Sequence, residues 1–215
     1  MEGTEISSAV ITRLPRYYRY LGNLLDEGVE RISSRKLSEI MNVTASQIRQ
    51  DLNNFGGFGM QGYGYNVEKL YNEIGKILGV NGQKNVIIIG AGHLGRALAN
   101  YSTYRSYGFK LKALFDINTD LAGYEIGGAR IYSMNFLEDF LKDNEIDIAA
   151  LCVPRTQSPV IAEKLVANGI NALWNFSHTD LKVPDDVAVE NVHLIESLMK
   201  LSYRAKCLRK NSEDQ

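Results

Sequence analysis

Asn85-Val86-Ile87-Ile88-Ile89-Gly90-Ala91-Gly92-His93-Leu94-Gly95 decides the fold. Four consecutive β-branched residues suit a strand covered on both faces of a parallel sheet. Gly90, Gly92 and Gly95 follow with G-x-G-x-x-G spacing. The first permits a sharp turn, the second lets backbone approach a pyrophosphate, and the third lets the next helix pack on the strand. His93 to about Tyr107 is predicted to be that helix, its free N–H groups and dipole facing the phosphates. His93 reads as a backbone-positioning residue, and Arg96 as a neutraliser of the pyrophosphate or a solvated side chain. Leu111 to Phe115 is the predicted second strand, with Asp116 at its C-terminal end, where an acid accepts from ribose hydroxyls. A carboxylate there repels a 2′-phosphate, so NAD(H) is expected over NADP(H); the other role open to Asp116 is a helix N-cap.

Downstream, Met134 to Lys142 is predicted helix and Ile146 to Val153 is strand ending at Pro154. Ser158 to Asn168 is helix stopped by Gly169, Ile170 to Phe176 is strand, and Val187 to Val192 is a last strand. His193 to about Arg209 is an amphipathic helix carrying Leu194, Ile195, Leu198, Leu201, Tyr203 and Leu208. This alternation gives an α/β class with an open parallel sheet. Val153, Pro154, Asn175 and Phe176 fall at strand ends and form an apolar lining for a nicotinamide, where a cationic ring is costly to bury. Pro154 and Phe176 read equally well as ordinary loop and core residues. Cys152 reads as a small buried apolar residue, having no flanking group that would activate a thiol.

Upstream, Ile6 to about Glu27 has helical spacing, with Pro15 kinking the helix or marking its start. Ser33-Ser34 caps a short helix over Lys36 to Met41, and Thr44 caps a third from Ala45 to about Asn54. Two short helices with a tight link form a helix-turn-helix, in which Ser46, Gln47, Arg49 and Gln50 are able to reach a major groove or its phosphates. Gly56 to Val67 alternates glycine with aromatic residues and is predicted to be a β-hairpin wing, a mobile linker being the alternative. Glu68 to Leu78 is a further helix, and Gly79 to Gln83 a candidate boundary.

The 215 residues carry a formal net charge of −1, so any DNA contact must come from a local patch. Arg13 to Phe55 holds seven basic and five acidic residues, a small surplus, with Arg13, Arg16 and Arg19 clustered within two turns. Cys152 and Cys207 supply neither a disulfide framework nor metal spacing, which suits a cytoplasmic protein without a metal. No apolar run approaches the roughly 20 residues of a membrane span, and the first residues lack a signal-peptide pattern.

Ser33-Ser34…Leu37, Thr44…Gln47-Ile48-Arg49-Gln50-Asp51-Leu52, Phe55-Gly56-Gly57-Phe58-Gly59, Gly62-Tyr63-Gly64-Tyr65, the glycine loop and Val153-Pro154 together resemble the Rex family of bacterial redox-sensing repressors. The resemblance covers about Ile6 to Arg209. It implies a winged-helix DNA-binding domain over 1–80, a Rossmann NAD(H)-binding domain over 81–192 and a C-terminal dimerisation helix over 193–209 swapped between subunits, while the polar composition of 210–215 predicts a flexible tail. It implies a homodimer reading double-stranded palindromic operator DNA, with NADH, but not NAD⁺, releasing it. Arg13, Arg16, Ser33, Ser34, Phe58, Gly59 and Tyr65 join the predicted DNA face. Gly90, Ala91, Gly92, His93, Leu94, Gly95, Asp116, Tyr101, Val153, Pro154, Asn175 and Phe176 form the predicted cofactor set.

In that family a Tyr, an Arg and an Asp are linked across the dimer. Arg19 and Tyr101 match the first helix's Arg and the Tyr, whereas His193 stands where the family has Asp. A neutral His193 is able to accept from Tyr101, a charged one would repel Arg19, and a plain helix N-terminal residue is the third reading. The rival function is an NAD-dependent oxidoreductase with a regulatory N-terminal domain. Too little chain follows Val192 to build a substrate domain, and His178, the best candidate base, lacks an evident carboxylate partner. The family more often carries Lys at the position of Gln50. Gln suits adenine N6 and N7 and Lys suits guanine, so the operator half-site is expected to carry A·T where Lys-bearing relatives read G·C. In competition binding, Gln50→Lys should shift preference to the G·C operator; a variant that still prefers the unaltered operator contradicts the assignment.

Overall fold

The structure, a computed structural model, describes residues 7–53, 59–60 and 63–213. It divides into two units, Met1–Gly82 and Gln83–Gln215, two residues beyond the boundary expected at 80/81.

In the first unit, α1 (Ser8–Asp26) buries Val10, Leu14, Tyr17, Leu21 and Leu24 along one face. Pro15 lies inside α1 rather than at its start, on an exposed side with Ile11, where water can reach the carbonyl that loses its partner. α2 (Ser34–Met41) is capped by Ser33 Oγ, which accepts from Lys36 N. Asn42 in the left-handed region (φ 51°) ends it. α3 (Ala45–Asn53) begins where Thr44 Oγ1 accepts from Gln47 N at 3.2 Å and buries Ile48 and Leu52. The wing is a three-stranded antiparallel sheet ordered β1 (Arg31–Ile32), β3 (Gly64–Asn66), β2 (Gly59–Met60), and β1 was not foreseen from sequence. Gly64 sits at φ +71°, where an added Cβ would lie 2.5 Å from Ile32 O, so the β1–β3 pairing requires glycine. α4 (Val67–Leu78) closes the unit, Tyr71 stacking on Tyr18 of α1 at 4.1 Å. Residues 54–58 and 61–62 of the expected wing lie outside the described residues.

The second unit is built on a seven-stranded sheet. Its strands are β4 (Lys84–Ile89), β5 (Phe109–Asp116), β6 (Glu125–Ile126), β7 (Ala129–Ser133), β8 (Ile148–Leu151), β9 (Ala172–Asn175) and β10 (Ala188–Asn191). The order is β10-β9-β8-β4-β5-β7-β6, and all neighbours are parallel except the β6–β7 hairpin. The β6–β7 hairpin was missed in the sequence although Gly127-Gly128, both at positive φ, mark its two-residue turn. On one face, Ile87, Ile89, Phe115 and Leu151 pack under α6 (Leu137–Asp143) and α7 (Ser158–Ala167). On the other, Ile88, Leu114, Ile131 and Ala150 meet α5 (His93–Ala99).

That helix was expected to run to Tyr107. It stops at Ala99, because the Gly127 backbone abuts the Ala99 carbonyl, leaving no room for a Cβ there. A 3₁₀ helix over Ser102–Tyr107 follows. The last helix, α8 (Leu194–Glu213), runs four residues past the predicted end at Arg209, so much of the expected flexible tail is helical.

Gly95 fixes the contact between α5 and β4: a Cβ there would lie 1.9 Å from Gly90 O. Gly95→Ala must lift α5 off the strand, at an overpacking cost of about 1–3 kcal/mol. Denaturant unfolding of the second unit should show this loss; an unchanged midpoint would exclude the close approach.

Candidate functional site

Strand order reverses between β4 and β8, so the crevice beyond their C-terminal ends is where an open α/β sheet takes its ligand. The loop after β4 and the loop after β8 meet there. Gly90 turns at φ +100°, its α-carbon so close to Cys152 O that a Cβ would lie 2.5 Å away. A Cβ on Gly92 would meet nothing within 4 Å. This leaves exposed backbone for a phosphate to approach. Ala91 N donates to Asp116 Oδ2 at 2.6 Å and Asn118 N donates to Oδ1 at 2.8 Å. Asp116 thus caps the following turn, one of the roles open to it in the sequence, and also braces the glycine loop, which the sequence did not reveal. Each carboxylate oxygen keeps a second lone-pair site for a hydroxyl donor. Arg96 is exposed, its Nε anchored on Ala91 O at 2.7 Å. His93 is exposed at the start of α5, and Leu94 is half-buried.

Val153 packs partly into the core and Pro154 is exposed, its carbonyl accepting from Gln157 N and Ser158 N. Asn175, an expected cofactor contact, stands at the end of β9. It is fully buried. Its Nδ2 donates to Thr179 O and Asn191 Oδ1 at 2.8 and 2.7 Å, and its Oδ1 accepts from Ser177 N and Ser177 Oγ. Ser177 Oγ also lies 2.8 Å from Ser158 Oγ. Asn175, Ser177 and Ser158 therefore tie β9, β10 and α7 together; the two serines were not singled out in the sequence. Phe176 packs edge-on against Trp174 at 4.6 Å, Trp174 against Tyr104 at 6.0 Å, and Tyr104 against Tyr101 at 5.3 Å. Tyr101, expected at the cofactor, is the exposed end of this row. Burial pushes the Tyr104 phenol up to about 12, with Cys152 and Tyr101 adding to it, and burial pushes the Cys152 thiol up to about 12 as well. Such a thiol is a packing group.

In the first unit, the carboxylate of Asp51 has no exposed surface and is surrounded by donors. Arg13 Nε and Nη2 grip it at 2.8 and 2.7 Å, Tyr17 OH donates at 2.9 Å, and Gln47 Nε2 donates at 2.7 Å. Burial by itself would raise the Asp51 carboxyl, but the hydrogen bonds from Arg13, Gln47 and Tyr17 outweigh it and hold the group below the ordinary carboxylate range. Sequence reading passed over Asp51. The available signal was an acid at a helical core position beside Ile48 and Leu52, which demands partners.

Arg13 and Gln47 therefore contribute inward as well as to any DNA face. Arg16 Nη2 caps α2 by donating to Met41 O. Ser33 is used as the cap of α2, Ser34 Oγ accepts from Arg49 Nη1 at 3.2 Å, and Ser46 Oγ lies 3.0 Å from Thr44 Oγ1. Ser46, Arg49 and Gln50 are exposed. Tyr65, expected on the DNA face, is buried because β3 directs its ring into the domain core. Phe58 lies outside the described residues, and Gly59 belongs to β2. Arg19 lies over the Tyr20 ring at 5.1 Å. His193 Nε2 is 3.9 Å from Asp180 Oδ1, and its ring stacks on His178 at 6.1 Å. Among the described residues no three His, Cys, Asp or Glu side chains are grouped to hold a metal, and no helix is long and apolar enough to cross a membrane.

Two family models match, "Putative DNA-binding protein N-terminus" over residues 5–53 and "CoA binding domain" over residues 81–179. The redox-sensing transcriptional repressor Rex of Thermoanaerobacter pseudethanolicus is 59% identical over 94% of this chain and 90% of its own length. The crystal structure of RSP in complex with β-NAD⁺ and operator DNA superposes with a TM-score of 0.88 at 56% identity, covering 99% of each chain. That of RSP in complex with β-NADH gives 0.88 at 53% identity over 99% of this chain and 100% of the other. With identity of this extent running through both units, the chain belongs to the Rex family of redox-sensing transcriptional repressors.

Proposed function

We propose that this chain works as a cytoplasmic homodimer that holds a palindromic operator and lets go when NADH binds. The observation that carries this reading is the pairing, in one chain, of a helix-turn-helix unit with a glycine-loop crevice left open at Gly92. The similarity to a repressor crystallised with NADH, and with NAD⁺ and operator DNA, supports it.

Gly92 backbone takes the pyrophosphate and Asp116 takes the adenosine ribose hydroxyls. The nicotinamide lies toward Val153, Pro154 and Phe176. Arg96 supplies positive charge to the phosphates while remaining anchored to Ala91. The reduced ring is neutral and the oxidised one cationic, so a pocket without a facing carboxylate favours NADH. Each tenfold preference needs about 1.4 kcal/mol, well within the cost of burying one charge.

The dimer has a physical motive. The sheet face beyond α5 carries an apolar groove of about 300 Å³, lined by Val86, Ile88, Leu111, Ile148, Ala150 and Trp174. α8 exposes Leu194, Leu198, Leu201 and Leu208. Exchange of α8 between two copies fills that groove and buries both surfaces. α3 enters the major groove with Ser46, Gln47, Arg49 and Gln50, while Arg13 and Arg16 stand near the phosphates. Arg19, Tyr101 and His193 are the coupling residues, His193 bringing Asp180 with it where the family has Asp alone.

Fluorescence anisotropy of a labelled palindrome tests the reading. NADH should displace the chain at far lower concentration than NAD⁺; equal displacement refutes it. Gly92→Ala has space for its methyl and should keep its fold and operator affinity. It should weaken the response to NADH by roughly tenfold or more, because the methyl then sits where the pyrophosphate approaches.

A further inference from the structure

Asp51 is the only fully buried carboxylate among the described residues, and one of its hydrogen bonds reaches back one turn along α3 to Gln47. An ionised carboxylate only accepts. The amide of Gln47 must therefore turn its nitrogen to Asp51, because the reversed amide would set two acceptors against each other. Arg13 holds both oxygens of Asp51 and Tyr17 holds one, so the carboxylate itself has no freedom to rotate. The amide of Gln47 is fixed from within the domain, and Oε1 is the end left for whatever approaches α3. Gln47 is half-buried beside the exposed Ser46, Arg49 and Gln50.

We infer that Asp51 is a positioning residue for operator specificity: by holding Gln47 Nε2 it makes Gln47 a fixed hydrogen-bond acceptor that reads an exocyclic amine, adenine N6 or cytosine N4, in the major groove. The inference rests on the proposal that α3 is the recognition helix. An unrestrained glutamine pairs with adenine through both ends, accepting from N6 and donating to N7. Here the nitrogen is drawn toward Asp51 and away from N7. The amine is the contact that remains, and cytosine becomes as readable as adenine.

The test uses the full-length chain and operators carrying one base analogue at a time. One series replaces adenine or cytosine with an analogue lacking the exocyclic amine, and a second replaces adenine with 7-deazaadenine, which lacks the N7 acceptor. At one position in each half-site, removal of the amine should weaken binding by the parent chain about tenfold, whereas removal of N7 there should cost nothing. The Gln47→Ala chain should be indifferent to the amine at that position and keep its dependence on every other. In Asp51→Asn the new carboxamide donates as well as accepts, which frees the Gln47 amide to reverse; dependence on the amine should fall at that position alone.

If Asp51→Asn does not fold, the comparison of the parent with Gln47→Ala decides. The inference is overturned if no position separates those two chains by its amine, or if N7 is the base atom to which Gln47→Ala has become indifferent. An Arg49→Ala chain separates this failure from that of the underlying proposal. Unchanged operator affinity in Arg49→Ala removes α3 from the groove altogether. Weakened affinity without an amine effect at Gln47 sinks the assignment of Asp51 alone.

Discussion

A parallel sheet has two apolar faces and both need cover. In this chain one face is covered within the subunit and the other is not. α6 and α7 close over Ile87, Phe115 and Leu151, whereas α5 covers only the part of the opposite face near Ile88 and Leu114. Gly127 sets that limit, since its backbone meets the end of α5 at Ala99. Past that point, from Val86 across to Trp174, an apolar groove is left open among the described residues. Such a surface, in a chain whose α8 has a long exposed apolar stripe, favours association with a second copy over any arrangement of the single chain. The proposed exchange of α8 thus follows from how short α5 has to be.

The polar groups that specify each unit are buried ones. Asp51 in the first unit and Asn175 in the second are fully buried, and each has its hydrogen-bonding capacity met by named neighbours. Fully satisfied clusters of this kind contribute less to net stability than to fixing one arrangement, because any rearranged packing leaves a donor or acceptor stranded. The Asp51 cluster holds α3 to α1. The Asn175 cluster holds the ends of β9 and β10 to each other and to α7 through Ser177 and Ser158.

The sheet and the glycine loop were legible because their signals are local. Val86 to Ile89 is a β-branched run, the three glycines follow it at fixed spacing, and the demand on Gly95 comes from Gly90 O only five residues back. The caps at Ser33 and Thr44 are local in the same way. What escaped was non-local. Asp51 meets Arg13 across 38 positions and Asp116 meets Ala91 across 25, and no window of sequence contains both partners. Tyr65 is expected on the DNA face with the residues that follow the family resemblance, yet it is buried where β3 pairs with β1, a strand of two residues. The β6–β7 hairpin is a different kind of miss: Gly127-Gly128 announced it, but its flanking strands are too short to show an alternating pattern.

The same satisfaction of buried polar groups bears on how the proposed coenzyme site distinguishes two ligands that differ by one charge. A cationic nicotinamide is stabilised by an acceptor that is free to turn toward it. At the end of β9 the carbonyl oxygen of the Asn175 amide is already taken by two groups of Ser177, and the Ser177 hydroxyl is committed to Ser158 and Asn175. The nearest carboxylate in sequence, Asp180, is almost fully exposed and lies by His193, so water screens it. Discrimination then needs no residue that recognises the reduced ring. For the proposed site it is enough that the side-chain acceptors of Asn175 and Ser177 are spent before the oxidised ring arrives.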